Sequence, residues 1–183
     1  MEKLKVSMIV GSVRKESINI RLSKALEKAA AGKMEFNRIA IDKLPMFNQD
    51  LEQNLPAEVT EFKSAVENSH ALIFISPEYN RNIPPLMKNA IDWGSRPHGK
   101  NSWKGKFFGI MGASPGAQGT VSCQLALRSI MGTLDCKIMG QPEAYVTFNP
   151  ADIIDDSGKV NSTKIDKLLE TFVKNFLDHC QKK

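Results

Sequence analysis

Apolar residues along the chain fall into two alternating rhythms. Short, nearly continuous apolar runs at 5–10, 34–41, 71–76, 106–111 and 137–148 predict strands. The run 71–76 is apolar on both faces, as a central parallel strand should be. The last run is interrupted by Gly140 and Pro142. Between these runs, apolar residues recur at three- and four-residue steps and predict helices. Ile18, Leu22, Ala25, Leu26 and Ala29 share one face, with Gly32 as the C-terminal stop. Val59, Phe62 and Val66 mark a second helix, with Pro56 expected at its first position. Pro84-Pro85 open a third that runs to Trp93, and a fourth spans 118–131. Ile165, Leu168, Leu169, Phe172 and Phe176 mark the last, capped by Asn161 or Ser162.

Strand and helix thus alternate about five times. This order predicts an α/β fold, a doubly wound parallel sheet with helices on both faces. Without repeats, low-complexity tracts or a linker, residues 1–183 read as one domain. Such sheets bind ligands outside the carboxyl ends of their strands, where strand order reverses. The loops that follow strands, 11–19, 76–83 and 112–119, should therefore carry the function.

Composition narrows the classes further. The chain has 183 residues, 42% of them apolar and 25% charged, an ordinary globular balance. No apolar run approaches the ~18 residues of a membrane span. A leader pattern is absent, and Cys123, Cys136 and Cys180 form no CxxC or ligand set, which reads as a reducing cytoplasm. The net charge of +5 is uneven: residues 1–33 hold eight Lys/Arg against three Glu. A second basic stretch, 81–106, holds six against Asp92. Basic surfaces attract nucleic acid, but also nucleotides and phosphates. With 7% aromatic residues and no nucleic-acid-binding signature, nucleic acid is not the expected partner.

The first loop, Gly11-Ser-Val-Arg-Lys-Glu-Ser-Ile-Asn19, leaves a strand and opens a helix. Helix N-terminal amides favour an anion there, and Ser12, Ser17, Asn19 and Arg14 add donors. It matches neither the phosphate loop of nucleotide hydrolases nor GxGxxG. Spacing alone leaves two readings open: an anion cradle, or a capped helix with a solvated Arg14. In the second loop, Ser76-Pro-Glu-Tyr-Asn-Arg-Asn-Ile-Pro-Pro85, Tyr79 offers a ring for stacking, or folds back on the core. The third, Gly112-Ala-Ser-Pro-Gly116, matches the GxSxG of a nucleophile elbow. An esterase is disfavoured because Pro115 has no N–H for an oxyanion hole. His70 and His98 precede the serine, and His179 lies near the end of the terminal helix. No carboxylate pair or metal cluster stands out. The loops therefore suit a phosphate and a planar group, with the chemistry left to a redox cofactor.

Gly11-Ser-x-Arg-x-x-Ser-x-Asn19, Pro77-Glu-Tyr-Asn80 and Leu86-Met-Lys-Asn-Ala-Ile-Asp-Trp93-Gly-Ser-Arg96-Pro together resemble the NADPH-dependent FMN reductase family. Its members include quinone, chromate and azo-dye reductases. The resemblance covers roughly residues 4–180. It implies a flavodoxin-like five-stranded sheet of order 2-1-3-4-5 and non-covalent FMN. Ser12, Arg14, Ser17, Ile18 and Asn19 would hold the FMN phosphate. Pro77, Glu78, Tyr79 and Asn80 would line the isoalloxazine and ribityl side, with Arg81 at the rim and Ser114 contacting the flavin. The implied activity passes hydride from NADPH or NADH through FMN to small electron acceptors: quinones, chromate, azo dyes or free flavin. A homodimer or homotetramer is implied as well. Met87 and Pro115 depart from the expected pattern. The rival is a non-catalytic flavodoxin-type electron carrier. Such carriers are acidic, and this chain carries +5.

Overall fold

The computed structural model describes residues 3–148 and 153–181. The elements follow in chain order: β1 (Leu4–Val10), α1 (Ile18–Ala29), β2 (Met34–Arg38), α2 (Ala57–Glu67), β3 (Ala71–Ile75), α3 (Pro85–Ser95), β4 (Phe107–Ser114), α4 (Val121–Thr133), β5 (Lys137–Ile138), β6 (Ala144–Thr147) and α5 (Thr163–Cys180). A short 3-10 turn, Gln49–Leu51, lies in the loop after β2.

The sheet runs β2-β1-β3-β4-β5, every pairing is parallel, and β6 also pairs with β4. The order 2-1-3-4-5 is therefore as expected. The fifth position is split between two short strands. β5 pairs with Phe107 and Phe108 at the start of β4, and β6 with Met111–Ser114 at its end. Gly140 and Pro142 fall in the gap, where proline cannot donate to a ladder. Other differences are small. β2 stops at Arg38 instead of Ile41. Pro56 precedes α2 as its cap, whereas Pro85 takes the first-turn place in α3. Ser162 caps α5, accepting from Ile165 N–H.

β3 is buried along its whole length. Its alternate residues feed two cores, one on each face. Ala71, Ile73 and Ile75 join Val6, Met8, Leu22, Leu26, Phe172 and Phe176 beneath α1 and α5. Leu72 and Phe74 join Ile9, Phe62, Trp93, Trp103, Phe108 and Leu127 beneath α2, α3 and α4. This is the period-two reading of a strand buried on both faces. It holds the carboxyl ends of β1, β3 and β4 side by side.

Candidate functional site

β1 ends at Val10, and Gly11 N–H still bonds Ile75 O at 2.9 Å, so the first loop leaves from beside β3. Ser17 takes the cap position of α1, but its hydroxyl makes no capping bond and no acidic residue lies in the first turn. α5, by contrast, has a serine hydroxyl on its first turn. The first-turn amides of α1 and the positive end of its dipole therefore lack a protein counter-charge. The Ser12 and Ser17 hydroxyls sit in buried residues beside this end, and Arg14 rises from the loop exposed.

The Asn19 side chain also ties two elements together. Its Nδ2 donates to Ala113 O at 2.9 Å, and its Oδ1 accepts from Ala113 N–H at 2.9 Å. Both amide atoms are engaged, so Asn19 bolts α1 to the end of β4, and one Nδ2–H and its backbone N–H remain for an anion.

β4 runs on to Ser114, past the expected end at Met111. Gly112 permits this approach: a Cβ there would stand 2.1 Å from Ser76 O and 2.6 Å from Thr120 Oγ1. Ser114 Oγ accepts from Gly116 N–H at 3.2 Å, a local serine turn. His179 Nε2 sits 2.8 Å from Lys137 O, and its ring meets Phe107 at the opposite end of β4. Seven strand steps separate Phe107 from Ser114, roughly 23 Å. His70 stacks on Phe107 as well. GxSxG here is a turn, with neither of these histidines in reach of the serine.

The second loop begins with Ser76 and Pro77, both buried. Glu78 Oε2 accepts from Cys123 N–H at 3.0 Å, so this carboxylate caps the first turn of α4. Cys123 Sγ lies 3.4 Å from Ser76 Oγ, and burial pushes the thiol up to about 11, leaving it protonated and inert at neutral pH. Tyr79 is 44% exposed. Asn80 and Arg81 lie at φ +50° and +63°. They form the tip of a tight hairpin rather than a wall of the cleft.

Ser12, Arg14, Ser17, Ile18, Asn19, Pro77, Glu78, Tyr79 and Ser114 line one cleft of about 100 Å³, together with Ala113 and Pro115. Of the expected site residues, only Asn80 and Arg81 stand outside the lining. Ala113 and Pro115 were not expected. No local pattern reveals Ala113, because its tie to Asn19 spans 94 residues. Among the described residues there is no group of three His, Cys, Asp or Glu able to hold a metal, and no helix is long and apolar enough to cross a membrane.

The NADPH-dependent FMN reductase family model matches residues 4–150. The chain belongs to this family. A 2-hydroxy-1,4-benzoquinone reductase of a Burkholderia species is 38% identical over 173 residues, covering 94% of each chain. A quinone reductase of Pseudomonas putida is 40% identical over 172 residues, 93% of this chain and 91% of that one. The flavoenzyme NAD(P)H:(acceptor) oxidoreductase FerB from Paracoccus denitrificans superposes with a TM-score of 0.92 at 40% identity, covering 97% of each chain. A WrbA-like flavodoxin from Agrobacterium tumefaciens shares the fold alone, at 16% identity and a TM-score of 0.60. As a member of the FMN reductase family, the chain is an oxidoreductase that uses FMN and NAD(P)H.

The residues present suit FMN. An uncapped helix end, two buried hydroxyls and an arginine make a donor set for a phosphate. The cleft is smaller than the roughly 300–1,000 Å³ that encloses a whole ligand of drug size. It suits the phosphate and ribityl end, and a flat ring system would lie at the mouth beside Tyr79.

Proposed function

We propose that this chain holds FMN in the cleft between the loops after β1, β3 and β4, and passes hydride from NAD(P)H to small acceptors of the quinone class. One observation carries the reading: the uncapped N-terminus of α1 opens into a cleft whose walls come from all three loops. The first-turn amides of α1, the Ser12 and Ser17 hydroxyls and the Arg14 guanidinium hold the phosphate. The Asn19–Ala113 bolt fixes the distance between the first and third loops. Glu78 holds the second loop against α4, so Tyr79 and Pro77 present a fixed wall to one edge of the ring. Bound FMN supplies a ring that accepts and releases hydride, and the protein supplies orientation. Quinones suit an open mouth, because a planar acceptor can enter where the nicotinamide leaves. Chromate, azo dyes and free flavin are further candidate acceptors.

The whole chain acts as one flavodoxin-like domain in the cytoplasm, as a homodimer or homotetramer that leaves the mouth open to substrates. The exposed Val13 and Tyr79 beside the cleft support this assembly. The deciding experiment is anaerobic addition of NADPH to purified protein carrying FMN. The visible flavin band should bleach without a partner reductase and recover on adding a quinone. A band that stays oxidised until a separate reductase is added would identify an electron carrier. Light scattering on the same sample reads the oligomer.

A further inference from the structure

Tyr79 and Asn82 exchange both backbone bonds, Tyr79 N–H to Asn82 O at 3.1 Å and Asn82 N–H to Tyr79 O at 2.9 Å. The two corner residues, Asn80 and Arg81, both sit in the left-handed region, at φ +50° and +63°. A hairpin turn of this kind is made most cheaply by Asn-Gly. Asn80 suits its place, but a long side chain at the second corner carries strain that glycine would avoid. Strain kept at the edge of a functional cleft points to a side chain that is needed there.

The Arg81 side chain leads from the second loop to the third, where Nη1 donates to Gln118 Oε1. Gln118 is neutral. Among the described residues no carboxylate pairs with Arg81, and Glu78, the one acid in its loop, is turned to Cys123 N–H. Arg81 is thus an exposed, un-neutralised cation held in place at the mouth, with further N–H donors open to solvent. It does not line the inner cleft, where Arg14 already serves as the charged donor. A guanidinium fixed by one donor and free at the others matches a phosphate's paired oxygens.

We infer that Arg81, braced by Gln118, binds a phosphate of the nicotinamide dinucleotide as the donor docks over the flavin, and so sets donor affinity. The inference rests on the FMN reading above. Quinone-class acceptors carry no phosphate, whereas every nicotinamide dinucleotide donor carries a pyrophosphate, so between these two substrates it is the donor whose chemistry this cation fits. The phosphate is either the 2′-phosphate that distinguishes NADPH or the pyrophosphate shared with NADH.

The test is the reductive half-reaction of the FMN-loaded protein by stopped flow, with NADPH and with NADH, for wild type, Arg81→Gln, Arg81→Gly and Arg81→Lys. Equilibrium titration with NADP+ and NAD+ gives a second readout that needs no turnover. Arg81→Gln and Arg81→Gly should both weaken NADPH on the order of tenfold or more, as loss of a charge-assisted bond does. The limiting rate should stay within about threefold, the mark of binding lost equally from ground and transition states. Arg81→Lys, as strained as arginine but still charged, should recover most of the affinity at low salt. Weakening of NADPH alone assigns the 2′-phosphate, and equal weakening of NADH assigns the pyrophosphate. Unchanged donor affinity in Arg81→Gln overturns the inference, as does wild-type affinity in Arg81→Gly. Wild-type protein that NADPH does not bleach sinks the FMN reading and this inference together. Bleaching with unaltered Arg81→Gln affinity sinks the inference alone.

Discussion

Arg14 is exposed, lines the cleft and makes no ion pair among the described residues. Its replacement should touch ligand binding and little else. Arg14→Ala removes a charge-assisted phosphate bond worth about 1.5–3 kcal/mol, or on the order of 10- to 100-fold in FMN affinity. Flavin retained after dialysis, measured by fluorescence, checks this; equal retention in both proteins would refute it. Melting of the flavin-free forms should agree. Asn80 behaves in the opposite way. At φ +50° it serves the turn through its backbone, and its side chain lies outside the cleft. Asn80→Gly should therefore match wild type in stability and in flavin reduction. Asn80→Leu should lose about 1 kcal/mol or more, because a branched side chain disfavours left-handed backbone. Slowed flavin reduction in Asn80→Gly, with FMN still bound, would instead show that the amide acts on the ring.

Between elements, the joint that matters most is Asn19 on Ala113. Asn19→Ala leaves a buried N–H and a buried C=O without partners, which costs on the order of 2–4 kcal/mol. Unlike Arg14→Ala, it should lower the stability of the flavin-free protein. Asn19→Asp keeps an acceptor for Ala113 N–H but sets a buried carboxylate oxygen against Ala113 O, and should cost at least as much as alanine. Chemical denaturation of the flavin-free forms ranks all three. This joint also shows where sequence reading ends. The helices, the central strand and the three loops were legible because each is written locally, in periodicity and in turn residues. The family resemblance then gathered nine of the eleven cleft-lining residues. The Asn19–Ala113 tie, the Glu78 cap on α4 and the extension of β4 to Ser114 were not legible. Each depends on which distant backbone group faces a side chain, and no local pattern encodes that.

For the molecule as a whole, Lys63 is the most consequential buried charge. Its Nζ donates to Lys100 O at 2.8 Å, Ser102 Oγ at 2.7 Å and Gly94 O at 3.3 Å, pinning the loop after α3 onto α2. Burial pulls its pKa below the ordinary lysine value of 10.5, with the Glu67 carboxylate partly opposing. From the folded-state pKa up to 10.5, the unfolded chain holds more protons than the folded one, so this lysine's contribution to stability rises with pH. Lys63→Met removes that contribution and three hydrogen bonds, leaving Gly94 O to Ser102 N–H and the Ser102 hydroxyl to Glu67, at a cost of about 1–3 kcal/mol at neutral pH. The gap between wild type and variant should widen as pH climbs into the alkaline range. Melting temperatures taken across that range check the sign: a gap that narrows refutes it.

The split fifth strand has a consequence at the borders of the sheet. One border is β2, five residues long, with Glu35, Asn37 and Arg38 exposed along it. The other is broken into pieces of two and four residues around Gly140 and Pro142. β2 is short and carries charged side chains, and the other border is interrupted, so both discourage neighbouring molecules from adding strands to the sheet.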